Sequence, residues 1–288
     1  MIDVTVSIVN WNTKDELRDC LNSMLSQDGA VSFEVIVADN ASSDGSADMI
    51  TSEFDGQVTL IRNSVNLGFG AAHNLSIRRS RGRYVLLLNP DCRMLEPDVL
   101  AKMVGYMDDN PDIGMLGPKI LNPNGSLQFS ARHFPTMFAA IFRHTIFGKL
   151  SPKNRFVRDY LMIDFAHDQI ADVDWLSGSA LMARRETFEQ TGLLDERFFM
   201  YLEDVDWCKR AHMAGWRVVY YPMVSVSHRI GAASDQNPVP MIKQHHKSML
   251  RYYLKYNSHS LKILLTPLAI IALWLRQRSL IKRTKPHN

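Results

Sequence analysis

Five consecutive apolar residues, Tyr84 to Leu88, run without a polar interruption and stop at Asn89-Pro90-Asp91. A strand of that kind has no face to offer to water, so it belongs in a sheet covered on both sides. The residues before it repeat the pattern. Val4 to Val9, Phe33 to Ala38 and Val58 to Ile61 read as further apolar strands. Between them lie segments with helical spacing: Lys14 to Leu25 behind a Thr13 cap, a stretch from Ser43 and Asp44 to about Phe54, and Phe69 to Arg79. Alternating strands and helices imply parallel pairing and a Rossmann-like α/β layer. Ligands of such sheets sit at the carboxyl ends of the strands. Here those ends are Asn10-Trp11-Asn12, Asp39-Asn40, Asn63 to Gly70 and Asn89 to Asp91, all polar. Each alone suits a turn; four together on one edge make a binding crevice.

The remainder is less regular. Strand-like pieces flank a turn at Asn122 to Gly125. Met137 to Phe147 is apolar, with Arg143 and His144 inside it, and reads equally as a core helix, a lid or a membrane-facing helix. Val173 to Arg185 reads as strand, glycine turn, strand. Glu203 to Ala214 is a helix stopped by Gly215. Val218 to Tyr221 and Val224 to Ser227 are two short strands.

Three places carry chemistry. Asp91 offers a hard oxygen ligand to a divalent cation, although an aspartate there also opens a turn. Glu203, Asp204 and Asp206 crowd a helix N-terminus, which favours acids through its dipole. Three carboxylates behind an apolar Phe-Phe-Met-Tyr run exceed what capping needs, and an apolar wall raises a carboxyl pKa towards that of a useful base. His228 closes a strand before a Gly-Ala-Ala-Ser turn and suits a nitrogen ligand near a cation.

Taken in order, VSIVNWN (6–12), VIVADNASSDGS (35–46), NLGFGAAHN (66–74), LLLNPDC (86–92), the long block from Trp175 to Arg210, and SVSHRIGAAS (225–234) resemble the family 2 glycosyltransferases. Within them the likeness is to the bacterial rhamnosyltransferase-like branch, and it covers roughly residues 4 to 235. The resemblance implies a GT-A fold with a mixed central sheet. It implies inverting sugar transfer from a nucleoside diphosphate donor, aided by Mg²⁺ or Mn²⁺. Position by position it puts Asn10, Asn12, Asp39, Asn66, Gly68, Asn89 and Asp91 around the nucleotide sugar. Asp39 would meet the N3–H of uracil or thymine. Trp175, Ser177, Gly178, Ser179 and Glu203 fall on the acceptor side, Asp204 is the base, and Asp91 with His228 forms the metal site. Asn89 departs from the strict Asp-x-Asp motif. By branch resemblance the donor is dTDP-L-rhamnose and the acceptor a polyprenyl-diphosphate-linked saccharide. The alternatives are a UDP-hexose donor or a catalytically idle nucleotide-sugar-binding scaffold. A nucleotidyltransferase would want a glycine-rich basic phosphate loop, which VNWNTKDE does not supply.

Charge separates the two ends of the chain. The net +3 hides ten Lys or Arg and no acid from Gln236 onward. Removing those ten from the 33 basic residues leaves 23 against 30 acids in residues 1–235. A basic tail on an acidic body suggests an anionic partner surface. Ile263 to Leu275 is apolar, ends at Trp274 and Leu275, and is flanked by Lys255, Lys262, Arg276, Arg278, Lys282, Arg283 and Lys285. Shorter than the about 20 residues of a spanning helix, it reads as an interfacial helix on an anionic leaflet; the alternative is a helix packed on the catalytic domain. Nucleic acid is not an expected partner, and homo-oligomerisation is left open. The expected division is a catalytic domain over 1–235, with a nucleotide-sugar half (1–115) and an acceptor half (116–235), then a membrane-associated helical extension over 236–288. The N-terminus has no basic segment or cleavage site of a signal peptide. The expected location is therefore the cytoplasm, peripherally on the cytoplasmic face of the membrane. Cys20, Cys92 and Cys208 lack metal-ligand spacing and read as buried thiols.

Overall fold

The computed structural model describes residues 2–136, 139, 154–232 and 236–284. The apolar segment at 137–147 lies outside the described residues, apart from the buried Ala139.

Four parallel strands, β1 (Val4–Asn10), β2 (Phe33–Asp39), β3 (Val58–Arg62) and β4 (Tyr84–Leu88), lie in the order β3-β2-β1-β4. Helices α1 (Lys14–Leu25), α2 (Ser46–Glu53) and α3 (Phe69–Arg79) connect them. The strand β5 (Cys92–Met94), helix α4 (Val99–Asp109) and strand β6 (Ile113–Leu121) follow. Two short strands, β7 (Leu127–Gln128) and β8 (Ala131–Arg132), lead to helix α5 (Arg155–Tyr160). Next come β9 (Ala171–Asp172), β10 (Trp175–Leu176), β11 (Ala180–Arg184), helices α6 (Arg185–Thr191) and α7 (Glu203–Met213), and strand β12 (Arg217–His228). The sheet continues past β4 as β11-β6-β12-β5, with β11 antiparallel to both β4 and β6. The central sheet is therefore mixed.

Strand β4 explains the apolar run. Tyr84, Leu86 and Leu88 join the core made with α1, α2 and α4, while Val85 and Leu87 join the core on the opposite face with α7. A side-chain period of two with both faces covered leaves no polar position.

Several local details differ from the sequence reading. Thr13 occupies the N-cap position of α1, but its hydroxyl donates to Asn10 Oδ1 at 2.7 Å instead of capping the helix. Helix α2 starts later than expected, at Ser46; the Asp44 carboxylate accepts from the Ser46 N–H and also from the Lys14 N–H of α1. The two short strands expected near the C-terminal end of the sheet are one, β12, whose pairing with β6 slips between Tyr221 and Ser225. That bulge is what broke the apolar alternation around Pro222 and Met223. Cys20, Cys92 and Cys208 are free and buried.

Beyond the sheet, α8 (Pro238–Asn257) and α9 (Thr266–Arg283) form a helical hairpin joined by a 3₁₀ turn at Leu261–Leu265. Helix α9 runs on through Arg276, Arg278, Lys282 and Arg283 instead of stopping at Leu275. The segment Leu261–Arg283 is thus long and apolar enough to cross a membrane, by length and composition alone. Leu261, Leu264, Leu268 and Leu275 are exposed, Leu261 by 85%.

Candidate active site

A cavity of about 870 Å³ opens at the carboxyl ends of β1, β2 and β4 and extends beneath α8. Its wall contains Asn66, Gly68, Asn89, Asp91, Trp175, Ser177, Gly178, Ser179, Glu203, Asp204 and His228. Eleven of the residues singled out in the sequence thus share one cavity. Asn10, Asn12 and Asp39 are absent from that wall. Asn10 is fully buried; its amide donates to Asp39 Oδ1 at 2.8 Å and to Ser42 Oγ, and it accepts from Thr13. Asp39 also accepts from the Ser42 N–H. Asn12 holds Ser43 and has a left-handed φ of 53°. These three brace the turns behind the crevice, and Trp11 and Asn40 stand on its surface instead.

The cation end is built on two strand ends. His228 closes β12, and its Nε2 lies 3.2 Å from Asp91 Oδ1. Its Nδ1 lies 2.7 Å from Gln128 Oε1. The Gln128 amide is oriented by its NH₂, which donates to Asn122 Oδ1 and to the His228 carbonyl. Oε1 is therefore the acceptor, Nδ1 carries the ring proton, and the Nε2 lone pair faces the carboxylate. Asn89 Nδ2 approaches that same lone pair at 3.1 Å. Asp91 Oδ1 is buried without a hydrogen-bond partner among the described residues. Two acceptors facing each other across 3.2 Å are the donor set a divalent cation satisfies, with Gln128 behind the histidine fixing its tautomer. The nearby Cys92 is unsuited to the set. Burial pushes its thiol well above the ordinary range, and it donates to the Ser179 carbonyl.

Backbone hydrogen bonds carry this end to the carboxylates of α7. The Asn89 N–H donates to the Ser179 carbonyl, in continuation of the β4–β11 pairing. One residue earlier, the Gly178 N–H donates to Asp204 Oδ2 at 3.0 Å. A Cβ at 178 would lie 3.2 Å from the Phe69 ring and 3.4 Å from the Asp204 Cβ. Glycine therefore lets three elements meet there. The loop at Gly68 (φ 84°) locks to the segment before α7: a Cβ would stand 2.2 Å from the Phe199 carbonyl, which accepts from the Phe69 N–H at 2.8 Å.

The turn into α7 is strained. Tyr201 and Leu202 are consecutive non-glycine residues with left-handed φ of 69° and 67°. Such positions cost of order 1 kcal/mol each and collect at functional sites. They present Glu203 and Asp204 to the cavity. Burial raises the pKa of Asp204, opposed by the N–H groups of Gly178 and Val205 and by the charge of Arg132. Burial, with the Asp204 charge added, lifts Glu203 well above the ordinary range, and its Oε2 has no hydrogen-bond partner among the described residues.

Asp206 is different in kind. It is fully buried and faces away from the cavity, ion-paired to Arg210 Nε (2.9 Å) and Lys255 Nζ (2.5 Å) and accepting from the Tyr256 hydroxyl (2.7 Å). Helix α8 thereby grips α7 two residues from Asp204.

A polar crevice at the ends of parallel strands, a cation-type donor set on one side and raised carboxyls on the other is a layout suited to group transfer from an anionic donor. Residues 5–168 match the model of the glycosyl transferase family 2. This chain belongs to that family. It is therefore a glycosyltransferase. It is 34% identical over 225 residues to the N-acetylglucosaminyl-diphospho-decaprenol L-rhamnosyltransferase of Mycobacterium tuberculosis, covering 74% of this chain and 72% of the relative. It is 27% identical to the rhamnosyltransferase WbbL of Escherichia coli K12, covering 86% of this chain and 92% of the relative. The mannosyltransferase PcManGT of Pyrobaculum calidifontis, solved with GDP-Man and Mn²⁺, superposes with a TM-score of 0.60 at 17% identity, covering 97% of this chain and 73% of that one. This glycosyltransferase thus has the GT-A fold that its motifs implied.

Sequence reasoning passed over Gln128, Arg132 and the α8 residues of the wall. Gln128 and Arg132 lie in two-residue strands without a motif, and only the folded chain brings them to His228 and Trp175.

Proposed function

We propose that this glycosyltransferase moves L-rhamnose from a dTDP donor, with inversion, onto a saccharide carried by a polyprenyl diphosphate at the cytoplasmic membrane face. What carries the transfer chemistry is the pairing of a cation-type site at Asp91 and His228 with the raised carboxyl of Asp204 in one cavity. The rhamnosyl donor and lipid-linked acceptor rest on the likeness to the mycobacterial relative, whose name states both the sugar and a diphospho-decaprenol substrate.

Asp91 and His228 would hold Mg²⁺ or Mn²⁺, which supplies charge neutralisation for the departing nucleoside diphosphate. Asn66, Gly68 and Trp11, which line the crevice, would receive the donor. Asp204 receives the proton of the acceptor hydroxyl as that oxygen attacks the anomeric carbon. The bond to the diphosphate oxygen breaks on the opposite face of the sugar, so a single displacement inverts the centre without a protein nucleophile. The Gly178 N–H holds Asp204 Oδ2 in place during this step. Residues 236–288 serve as the membrane-associated extension. Its exposed Leu261, Leu264, Leu268 and Trp274 suit the apolar side of an interface, and Arg278, Lys282 and Arg283 suit anionic headgroups.

The test is transfer by purified protein with dTDP-L-rhamnose, UDP-glucose, UDP-galactose or GDP-mannose, with and without Mn²⁺. The acceptor is an N-acetylglucosaminyl diphosphate carrying a short polyprenyl chain, and the product is read by mass and anomeric NMR. A deoxyhexose added with inversion from the dTDP donor is expected. Transfer only from a UDP-hexose would replace the donor assignment. Binding without turnover for every donor would leave a scaffold protein.

A further inference from the structure

Gln128 and Arg132 lie on neighbouring short strands but serve opposite ends of the cavity. Gln128 steadies His228 at the cation end. Arg132 lines the wall on the side of Asp204. Strand β8 pairs antiparallel with β10, Arg132 opposite Trp175 and Ala131 opposite Leu176. The next rung is the Ser177 N–H, which donates to the Ser130 carbonyl at 2.9 Å. Gly178 follows, and its N–H holds Asp204. One ladder thus sets both the arginine and the carboxylate.

Arg132 is half-buried, and it makes no ion pair among the described residues. Its Nε donates to the Phe129 carbonyl at 2.9 Å. Its guanidinium carbon lies 5.1 Å from the centre of the Trp175 ring and 5.9 Å from that of Tyr160. The shelf is itself fixed, because the Trp175 indole N–H donates to the His133 carbonyl at 2.8 Å. Stacking engages the face of a guanidinium and leaves its in-plane N–H donors for oxygen acceptors. The two terminal nitrogens of Arg132 donate to none of the described residues. Burial raises the Asp204 pKa, and the Arg132 charge is among the influences that oppose it, so the two groups are near without being paired. A cation held on an aromatic shelf, its donor edge unspent and the proposed base beside it, is suited to an anion carried by the acceptor.

We propose that Arg132 binds the phosphate on the anomeric carbon of the acceptor sugar, and so fixes which sugar of a lipid-linked saccharide presents its hydroxyl to Asp204. The proposal rests on the acceptor class given above. A single pyranose ring separates a ring hydroxyl from the anomeric phosphate, so a base and an arginine set by one ladder grip both ends of one sugar. The planar fork suits the phosphate because it donates two parallel hydrogen bonds to neighbouring oxygens. The donor diphosphate has its own proposed counter-charge, the cation at Asp91 and His228, at the other end of the cavity.

The experiment compares three detergent-solubilised acceptors in which N-acetylglucosamine is joined to the same alkyl chain by a diphosphate, a monophosphate or a neutral glycosidic oxygen. The wild type should prefer the diphosphate over the neutral acceptor in kcat/KM by about 10–100-fold, the usual effect of a charge-assisted contact. Arg132→Gln should bring that ratio towards one. Arg132→Lys, a point charge without the fork, should keep part of it. Because Arg132 also acts on Asp204, both variants change the rate with every acceptor, and the ratio within each variant cancels that effect. Scanning calorimetry checks that each variant is folded, and nucleoside diphosphate affinity with Mn²⁺ should match the wild type. A wild type indifferent to linkage, or a folded Arg132→Gln enzyme that keeps the full preference, overturns the phosphate contact and leaves the acceptor sugar in place. Lost nucleoside diphosphate affinity in folded Arg132→Gln would assign the arginine to the donor and overturn the proposal. Transfer to none of the three acceptors while the donor is hydrolysed overturns the acceptor class itself, and the contact with it.

Discussion

Replacing Asp204 and Asp206 in turn separates catalysis from architecture, because Asp204, the proposed base, lines the cavity, whereas Asp206, two residues on, is buried in ion pairs with Arg210 and Lys255. Asp204→Asn keeps the side-chain shape but cannot take a proton, so transfer should fall by about 10²–10⁴, the usual contribution of a positioned general base. Its stability should change little. The amide turns one N–H towards the Gly178 or Val205 N–H that the carboxylate accepted, a cost of about 1 kcal/mol. Removal of a buried charge offsets part of this. The sign of the pH dependence follows from the raised pKa. A carboxyl with a folded pKa above its unfolded one holds its proton more tightly when folded. Stability therefore falls as pH rises from the ordinary carboxylate value through the raised one. Asp204→Asn should remove that component of the slope. In the wild type, the acid limb of kcat should lie above the ordinary carboxylate range. Asp206→Asn leaves Lys255 and Arg210 facing an amide. Breaking a buried pair costs about 3–5 kcal/mol. Both cations keep some solvent, so the lower end applies, roughly 6 °C in Tm at about 2 °C per kcal/mol for a chain of this size. Calorimetric scans and single-turnover transfer at 25 °C on the same preparations give both readouts. Equal loss of transfer in the two variants, with both folded, would refute Asp204 as the base and make the acidic cluster a collective charge.

Gln128→Ala should weaken Mn²⁺-dependent nucleoside diphosphate binding by about 10–100-fold while leaving metal-independent binding unchanged, because it frees the His228 tautomer; calorimetry with and without Mn²⁺ measures it, and an unaltered metal dependence would count against the donor set. Gly68→Ala should destabilise by about 1–3 kcal/mol and lower donor affinity, since its Cβ meets the Phe199 carbonyl at a left-handed φ; an unchanged Tm would contradict the close approach. Deleting residues 258–288 should abolish flotation with anionic liposomes and leave nucleotide binding intact, while the full chain should bind less at high salt; liposome binding by the truncated protein would move the membrane contact elsewhere.

The α/β half was legible because its signals are local. Val4 to Asn10, Phe69 to Arg79 and Tyr84 to Leu88 announce themselves by unbroken apolarity or helical period, and the rule that ligands sit at strand ends then located the crevice. Parallel order brought Asn66, Asn89 and Asp91 together as expected. Asn10 and Asp39 were harder to place because a strand-end polar residue can face the ligand or brace the turn. That choice depends on a neighbour such as Ser42, which period cannot reveal. The β12 bulge and the two-residue strands that position Gln128 and Arg132 depend on pairings over long separations. Helix α4, although strongly amphipathic from Val99 to Asp109, went unmarked beside the motif-rich strand that precedes it.

The hairpin holds the turn that leads to Asp204, the proposed base, as well as offering a surface. Tyr201 and Leu202 occupy a conformation that their side chains disfavour, so something outside the turn must hold it. Helix α8 meets the turn and the residues flanking it at three places. The His245 ring packs on Tyr201, the Ser248 hydroxyl donates to the Met200 carbonyl at 2.8 Å, and Lys255 bridges Asp195 to Asp206. Tyr252 enters the core beneath α7, and the Lys209 ammonium of α7 lies 4.0 Å from the centre of the Tyr256 ring. The strain before Glu203 is thus balanced by contacts from the element that carries the exposed apolar hairpin. A force that shifts the hairpin shifts Asp206 and Tyr201 with it, and Asp204 lies between them. If the tail meets a membrane as proposed, it needs no flexible link to Asp204, the proposed base, because α7 is held by the same helical hairpin.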